Sequence, residues 1–285
     1  MATLPLAGVA HKANSLYKFS EELEATDKFP VLFLGHGSPM DAIEDNEFVQ
    51  GFKKIGQTFE KPKAILVVSA HWETRGTFVT AMDHPATIHD FGGFPQALFD
   101  VQYPAPGSPA LALETQRVVS KADVHLDDKW GLDHGSWSVV KHLYPDADVP
   151  IIQMSIDYTQ PAAYHYEIAQ QLNALRKKGV LIIGSGNMVH NLRMVAWDKL
   201  DTAGYAYEWA TIANEKMKQF IQNGNHQALI DFRKQGKEFD LAIPTPEHYL
   251  PLIYTLGLQE KNDELFLFND NSVAGSLTMT SLKIG

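Results

Sequence analysis

Four short apolar runs set the plan of this chain. Val31-Leu32-Phe33-Leu34 is closed by Gly35-His36-Gly37-Ser38-Pro39, and Ala64-Ile65-Leu66-Val67-Val68 by Ser69-Ala70-His71-Trp72. The third runs from Pro150 to Ile156, and the fourth, Val180-Leu181-Ile182-Ile183, is closed by Gly184-Ser185-Gly186-Asn187. Runs of this length without polar alternation, bounded by turn residues, predict strands buried on both faces, as in a parallel sheet covered by helices. Between the third and fourth runs, Ile168, Leu172 and Leu175 repeat at helical spacing. Pro161 suits the first turn there, Arg176 to Lys178 oppose the terminal dipole, and Gly179 stops the helix. Strand, helix and strand over about thirty residues make a βαβ unit. A second amphipathic helix is predicted from about Tyr205 to Asn223, with Trp209, Ile212, Met217, Phe220 and Ile221 on or near one face and Gly224 as its stop.

This alternation predicts an α/β fold, a single domain with a mostly parallel central sheet flanked by helices, over residues 30–285. Residues 1–29 show no sustained period and are expected to form an N-terminal extension packed on it. The segment from Asp83 to Pro109 differs, with two adjacent glycines, Gly92 and Gly93, and Pro95, Pro104, Pro106 and Pro109, but almost no periodicity. A long loop of this kind in a compact domain is more often a functional lid than a surface excursion.

Composition narrows the function. Lys and Arg number 24 against 34 Asp and Glu, a formal charge of −10, so nucleic acid and anionic lipid have no general electrostatic reason to bind. There is no cysteine, which removes disulfides, thiolate metal sites and a cysteine nucleophile. No apolar run approaches the roughly 20 residues of a membrane helix. Leu4 to Ala10 lacks the basic flank and cleavage site of a signal peptide. A cytoplasmic protein without membrane attachment is expected, and a monomer is compatible with the sequence.

The candidate chemistry lies in the histidines, of which there are 12. His36 and His71 stand just past two predicted strands, and ligands in open α/β sheets collect at the carboxyl ends of strands. His190 follows the fourth strand in Gly184-Ser185-Gly186-Asn187-Met188-Val189-His190-Asn191. His248 sits beside a carboxylate in Thr245-Pro246-Glu247-His248-Tyr249-Leu250-Pro251, opening a short apolar helix that Gly257 ends. Taken singly, each reads as a satisfied core or cap residue; together they point to a metal site. Imidazole and oxygen donors suit zinc or non-haem iron(II). Two histidines and a carboxylate would leave open positions on iron(II), whereas four histidines would fill a tetrahedral zinc. Both arrangements remain open at this point.

In Asp133-His134-Gly135-Ser136-Trp137, His134 reads equally as a proton carrier or hydrogen-bond partner and as an incidental neighbour of a helix cap at Asp133. His89, in the loop, is a candidate for substrate contact. The other histidines, His11, His84, His125, His142, His165 and His226, are assigned to the surface. The glycine-rich stretch after Ile183 lacks the spacing of a dinucleotide or phosphate loop, and Ser38 lacks the flanking glycines of a nucleophile elbow.

Seven segments together resemble one family: Leu34 to Met40 (LGHGSPM), Ser69 to Trp72, Ile88 to Leu98 (IHDFGGFPQAL), Tyr103 to Pro109 (YPAPGSP), Gly131 to Trp137 (GLDHGSW), Gly186 to Asn191 and Thr245 to Pro251 (TPEHYLP). They are similar, in the same order, to the class III extradiol ring-cleavage dioxygenases, and within them to the bacterial and plant 4,5-DOPA dioxygenase extradiol group. The resemblance implies a non-haem Fe(2+) site that opens a catechol ring beside its two hydroxyls with O2 and no organic cofactor, with Zn(2+) able to occupy the site as isolated. It implies His36 and His71 as metal ligands and a third from the Glu247-His248 pair, His248 ahead of Glu247. His190 matches a histidine that binds metal in zinc-loaded members and serves as acid and base in the cycle. His134 is carried as a second catalytic histidine. Gly35-His36-Gly37-Ser38 also resembles the strand-end histidine of tetrapyrrole metal chelatases, which would not need His71 or Glu247-His248. A non-catalytic metal-binding relative is a third reading, against which the presence of all four histidines argues.

Overall fold

The apolar runs become strands. The structure is a computed structural model describing residues 26–200 and 202–285; the expected N-terminal extension lies outside the described residues as far as residue 25, as does His11. The strands are β1 (Val31–Gly35), β2 (Ala64–Thr74), β3 (Thr77–Thr80), β4 (Val124–Asp127), β5 (Ile151–Asp157), β6 (Val180–Gly186) and β7 (Leu265–Phe268). A short β8 (Ser272–Val273), β9 (Leu277–Thr278) ladder and β10 (Ser281–Ile284) complete them. Among the described residues the main sheet has eight strands in the order β4-β3-β5-β2-β6-β1-β10-β7. Its centre, β5-β2-β6-β1, is parallel, while β10, β7 and β3 join antiparallel to their inner neighbours.

Alternate residues of each buried strand feed opposite faces. Val31, Phe33, Leu66, Val68 and Ile182 join one core with helices α5 (Ala162–Arg176), α6 (Glu208–Gln222) and α9 (Leu250–Gly257). Leu32, Leu34, Ile65, Val67, Leu181 and Ile183 join the other with α1 (Glu47–Gly56) and α4 (His134–Leu143). The expected α/β fold with a mostly parallel sheet is thus borne out. The β5-α5-β6 unit stands as read, with β2 between its strands. Asn46 caps α1 by accepting from the backbone of Phe48 and Val49, and Gly179 takes φ +79° where α5 ends. The edge strands carried no signal because they are short and half-exposed. No helix among the described residues is long and apolar enough to cross a membrane.

Three local expectations are corrected. Ser69 to Trp72 does not close a strand: β2 runs on to Thr74, and its register against β5 shifts between Val68 and Glu73, so His71 sits within an irregular part of the strand. Gly184-Ser185-Gly186 is likewise strand, paired with Phe33, Leu34 and Gly35. Those glycines serve close approach, since a Cβ at Gly184 would lie 2.3 Å from the Pro251 carbonyl oxygen, and one at Gly186 2.1 Å from that of His248.

The third correction concerns His165, which is fully buried. It shares the inner face of α5 with Ile168, Ala169 and Leu172, and its Nδ1 lies 3.1 Å from Tyr254 Oη. His142 and His226 are half-buried rather than on the surface. Burial pushes His165 down to about 4, only partly offset by Asp157. Below its unfolded value near 6.5 the unfolded chain binds a proton that the folded chain excludes, so stability falls as pH drops toward 4. The loss at pH 4 amounts to about 3 kcal/mol. Urea unfolding of the apoprotein between pH 4 and 7 should therefore show a shallower acid slope for His165→Gln than for wild type; parallel slopes would exclude this role.

Candidate metal centre

The carboxyl ends of the parallel strands bring together side chains far apart in sequence. His36 directly follows β1, His71 lies in the irregular end of β2, and His248 precedes α9, held against β6 by the two strand glycines. Asn187 ties these segments. Its Nδ2 donates to the carbonyls of His36 (2.7 Å) and Thr278 (2.9 Å), and its backbone N–H donates to that of His248 (2.8 Å).

One nitrogen from each of His36, His71 and His248 lies within 4.8 Å of the others. His36 Nε2 and His71 Nε2 are 3.1 Å apart. Two donors about 2.05 Å from one tetrahedral ion would be roughly 3.3 Å apart, so the pair is spaced to share a cation. The far nitrogens of His36 and His248 are engaged. Ser185 Oγ donates to the Gly135 carbonyl, so its lone pairs accept from His36 Nδ1 at 2.9 Å. His248 Nδ1 donates to Glu247 Oε1 at 3.1 Å, an oxygen that also accepts from Thr245 Oγ1 at 2.9 Å. The far nitrogen of His71, Nδ1, is 3.3 Å from Asp90 Oδ2.

Burial holds His36 and His248 well below the usual histidine range, the neighbouring imidazoles adding to the effect, and it lowers His71 as well. The rings are neutral at neutral pH, as nitrogen ligands must be. This donor set, three imidazoles with a carboxylate nearby and no sulfur, fits a zinc-type or non-haem iron ion.

The remaining candidates stand around this trio. His190 stacks on His248, centroids 3.6 Å apart and planes 9° from parallel, and its ligating atom groups with Glu247 and His248 rather than with His36 and His71. Burial pushes His190 down to about 4 against the opposing charge of Glu247. His134 is the first residue of α4, behind Asp133 as N-cap, so the cap read in that segment is present. Its ring centroid is 3.9 Å from that of His71, and its Nδ1 is 3.0 Å from Asp90 Oδ1. Gly135 permits this crowding, since a Cβ there would fall 2.8 Å from the His71 ring. His89 is taken up by the loop itself, its Nε2 donating to the Val101 carbonyl at 3.0 Å beside Phe91, Phe99 and Trp137.

Sequence reasoning missed Ser185, Asn187 and Asp90. The first two lie in a stretch that reads as a strand-closing turn and as a weak phosphate loop. Asp90 belongs to the loop, which is stitched down by a bridge between Thr87 and Leu132 and places Phe91 edge-on to His134 with centroids 5.6 Å apart.

Residues 30–277 match the family model described as the catalytic LigB subunit of aromatic ring-opening dioxygenase. The chain is 48% identical over 267 residues to the 4,5-DOPA dioxygenase extradiol of Escherichia coli (strain K12), covering 92% of this chain and 96% of that protein. It is 35% identical over 261 residues to the protein of the same name from Beta vulgaris, covering 89% and 95%. A crystal structure of an uncharacterized Escherichia coli K12 protein superposes with a TM-score of 0.79 at 43% identity, covering 90% of this chain and all of that one. The chain is thus a ring-cleaving dioxygenase, an oxidoreductase of the extradiol type. Within that class, the chain is a member of the LigB family.

The glycine contacts yield a test. A methyl group at Gly186 must displace the His248 backbone, so Gly186→Ala should lower stability by about 1–3 kcal/mol and weaken divalent-metal affinity along with it. Thermal melting and chelator competition measure the two. An alanine variant that keeps wild-type metal affinity would show that this contact does not place His248.

Proposed function

We propose that this protein is a metal-dependent extradiol dioxygenase that opens a catechol such as DOPA with O2 to a semialdehyde, its residues 30–285 forming the catalytic domain. The observation that carries this reading is the meeting of His36, His71 and His248 at one point, with the His36 and His248 Nδ1 atoms already hydrogen-bonded elsewhere. The names of the bacterial and plant relatives support DOPA as the substrate type.

These three imidazoles would hold Fe(2+) for activity, with Zn(2+) a competitor because affinity order alone favours it. The bound ion supplies an electron path between catechol and O2 that no side chain offers. Around it the chain positions the ring and handles protons. His190, neutral at neutral pH and stacked on His248, accepts a catechol hydroxyl proton and later returns it. His134 keeps Nδ1 toward Asp90, leaving Nε2 for proton exchange or a hydrogen bond to substrate. Phe91 offers an aromatic edge beside His134 and, with the loop, limits access of water. Glu247 acts through His248 Nδ1 rather than as the third ligand. The chelatase alternative has no use for His71 or His248, and the family match sets it aside along with a non-catalytic relative. A cytoplasmic location with no nucleic acid or membrane partner completes the proposal.

Anaerobic Fe(2+) reconstitution followed by an oxygen-electrode and absorbance screen of catechols tests it. DOPA or a related catechol should consume O2 and give a yellow ring-opened product. His71→Ala and His248→Ala should lose metal and activity together. His190→Ala should retain metal while kcat falls by about 10²–10⁴-fold. Full iron occupancy without O2 uptake on any catechol would overturn the reading.

A further inference from the structure

His71 has two neutral tautomers, and each turns its proton toward a different group. With its proton on Nε2, the ring donates to His36 Nε2 at 3.1 Å, which blocks both nitrogens a metal would use. With its proton on Nδ1, the ring faces Asp90 Oδ2 at 3.3 Å and leaves Nε2 free. We propose that Asp90, carried on the loop that follows β3, is a positioning residue that selects the metal-competent tautomer of His71. The inference rests on the reading of His71 as a metal ligand.

Asp90 is held for this task from the other side. Its Oδ1 accepts the backbone N–H of His134 at 2.9 Å and lies 3.0 Å from that residue's Nδ1, so Oδ2 is left to aim at His71. The residue is exposed along its backbone, yet its side chain is only 19% exposed and turns inward. A carboxylate accepts at both oxygens and donates at neither. It can therefore tolerate a proton on His71 Nδ1 and cannot supply one. His36 and His248 have their far nitrogens hydrogen-bonded to Ser185 and Glu247. Asp90 differs because its support comes from a loop, which makes the ordering of that loop a condition for a ready ligand.

Asn at this position separates positioning from structure. The amide oxygen of Asp90→Asn still accepts from His134 N–H, so the start of α4 keeps that bond. Its NH2 group then faces His71 Nδ1 as a donor and favours the Nε2–H tautomer, the one that closes the site. Loss of such an outer partner costs about 10–100-fold in metal affinity. Asp90→Glu, which keeps two acceptor oxygens, should recover most of that loss.

The test uses the full-length chain, wild type and D90N, D90E and H71A variants. Long-range ¹H–¹⁵N spectra of the apoprotein, with the His71 signals assigned by their absence in H71A, read the tautomer directly. Anaerobic titration with Fe(2+) and Zn(2+) reads affinity. Wild type should show His71 mainly as Nδ1–H, and D90N should shift it to Nε2–H and bind each ion 10–100-fold more weakly. Its apoprotein thermal midpoint should stay within about 2 °C of wild type. Unchanged tautomer or unchanged affinity in D90N, with H71A still losing metal, would overturn the role of Asp90 alone. Wild-type metal affinity in H71A would instead overturn the underlying site assignment.

Discussion

The approach of His36 Nε2 and His71 Nε2 to 3.1 Å is the contact on which the rest of the site depends. Two imidazole lone pairs at that separation repel unless a proton or a cation lies between them. The surroundings decide which. Ser185 takes the far proton of His36, Glu247 that of His248, and Asp90 stands opposite that of His71, so the inward nitrogens are left as acceptors. Burial removes the other escape, since protonation of a desolvated ring is disfavoured. A metal ion is the partner that satisfies all of these conditions at once.

The fold supplies this geometry from backbone packing rather than from long side chains. Parallel strands end at one edge of the sheet, which sets His36 and His71 side by side on β1 and β2 with β6 between their strands. The third histidine comes from a segment that no strand carries. It reaches the site because Gly184 and Gly186 let the backbone of residues 248–251 lie directly on β6, and because Asn187 bonds to that backbone and to the carbonyl of His36. Any side chain at those glycines would meet a carbonyl oxygen, so the packing leaves little freedom in where His248 can sit.

Much of this was legible in the chain because the strongest local signals coincide with the site. Uninterrupted apolar runs marked β1, β2, β5 and β6, and the histidines that follow the first two runs, His36 and His71, are two of the three that meet. What misled was the meaning of glycine and of polar strand residues. Gly184-Ser185-Gly186 has the composition of a turn, and only the tertiary contact with residues 248–251 reveals a strand left bare on the face they cover. The surface reading of His165 overlooks its helical spacing from Ile168 and Leu172, a pattern that already assigns it to the inner face. Asp90 could not be found from spacing at all. It comes from an aperiodic loop, and its importance lies in two rings that the loop's own sequence does not encode.

Metal binding, protonation and folding are therefore one coupled equilibrium in this protein. The unfolded chain exposes its histidines near their ordinary pKa of about 6.5, whereas the folded chain keeps the clustered rings neutral. Acid thus favours the unfolded state, and an ion bound only by the folded state opposes it, by about 2.7 kcal/mol at a hundredfold excess over Kd. The ion also takes over the attraction that the crowded lone pairs lack, which relieves the repulsion built into the apoprotein. The loop enters the same balance because Asp90 belongs to it: when the loop is seated, the His71 tautomer, the start of α4 and the Phe91 edge are set together. A segment that looks peripheral in sequence is in this way tied to the readiness of the metal ligands.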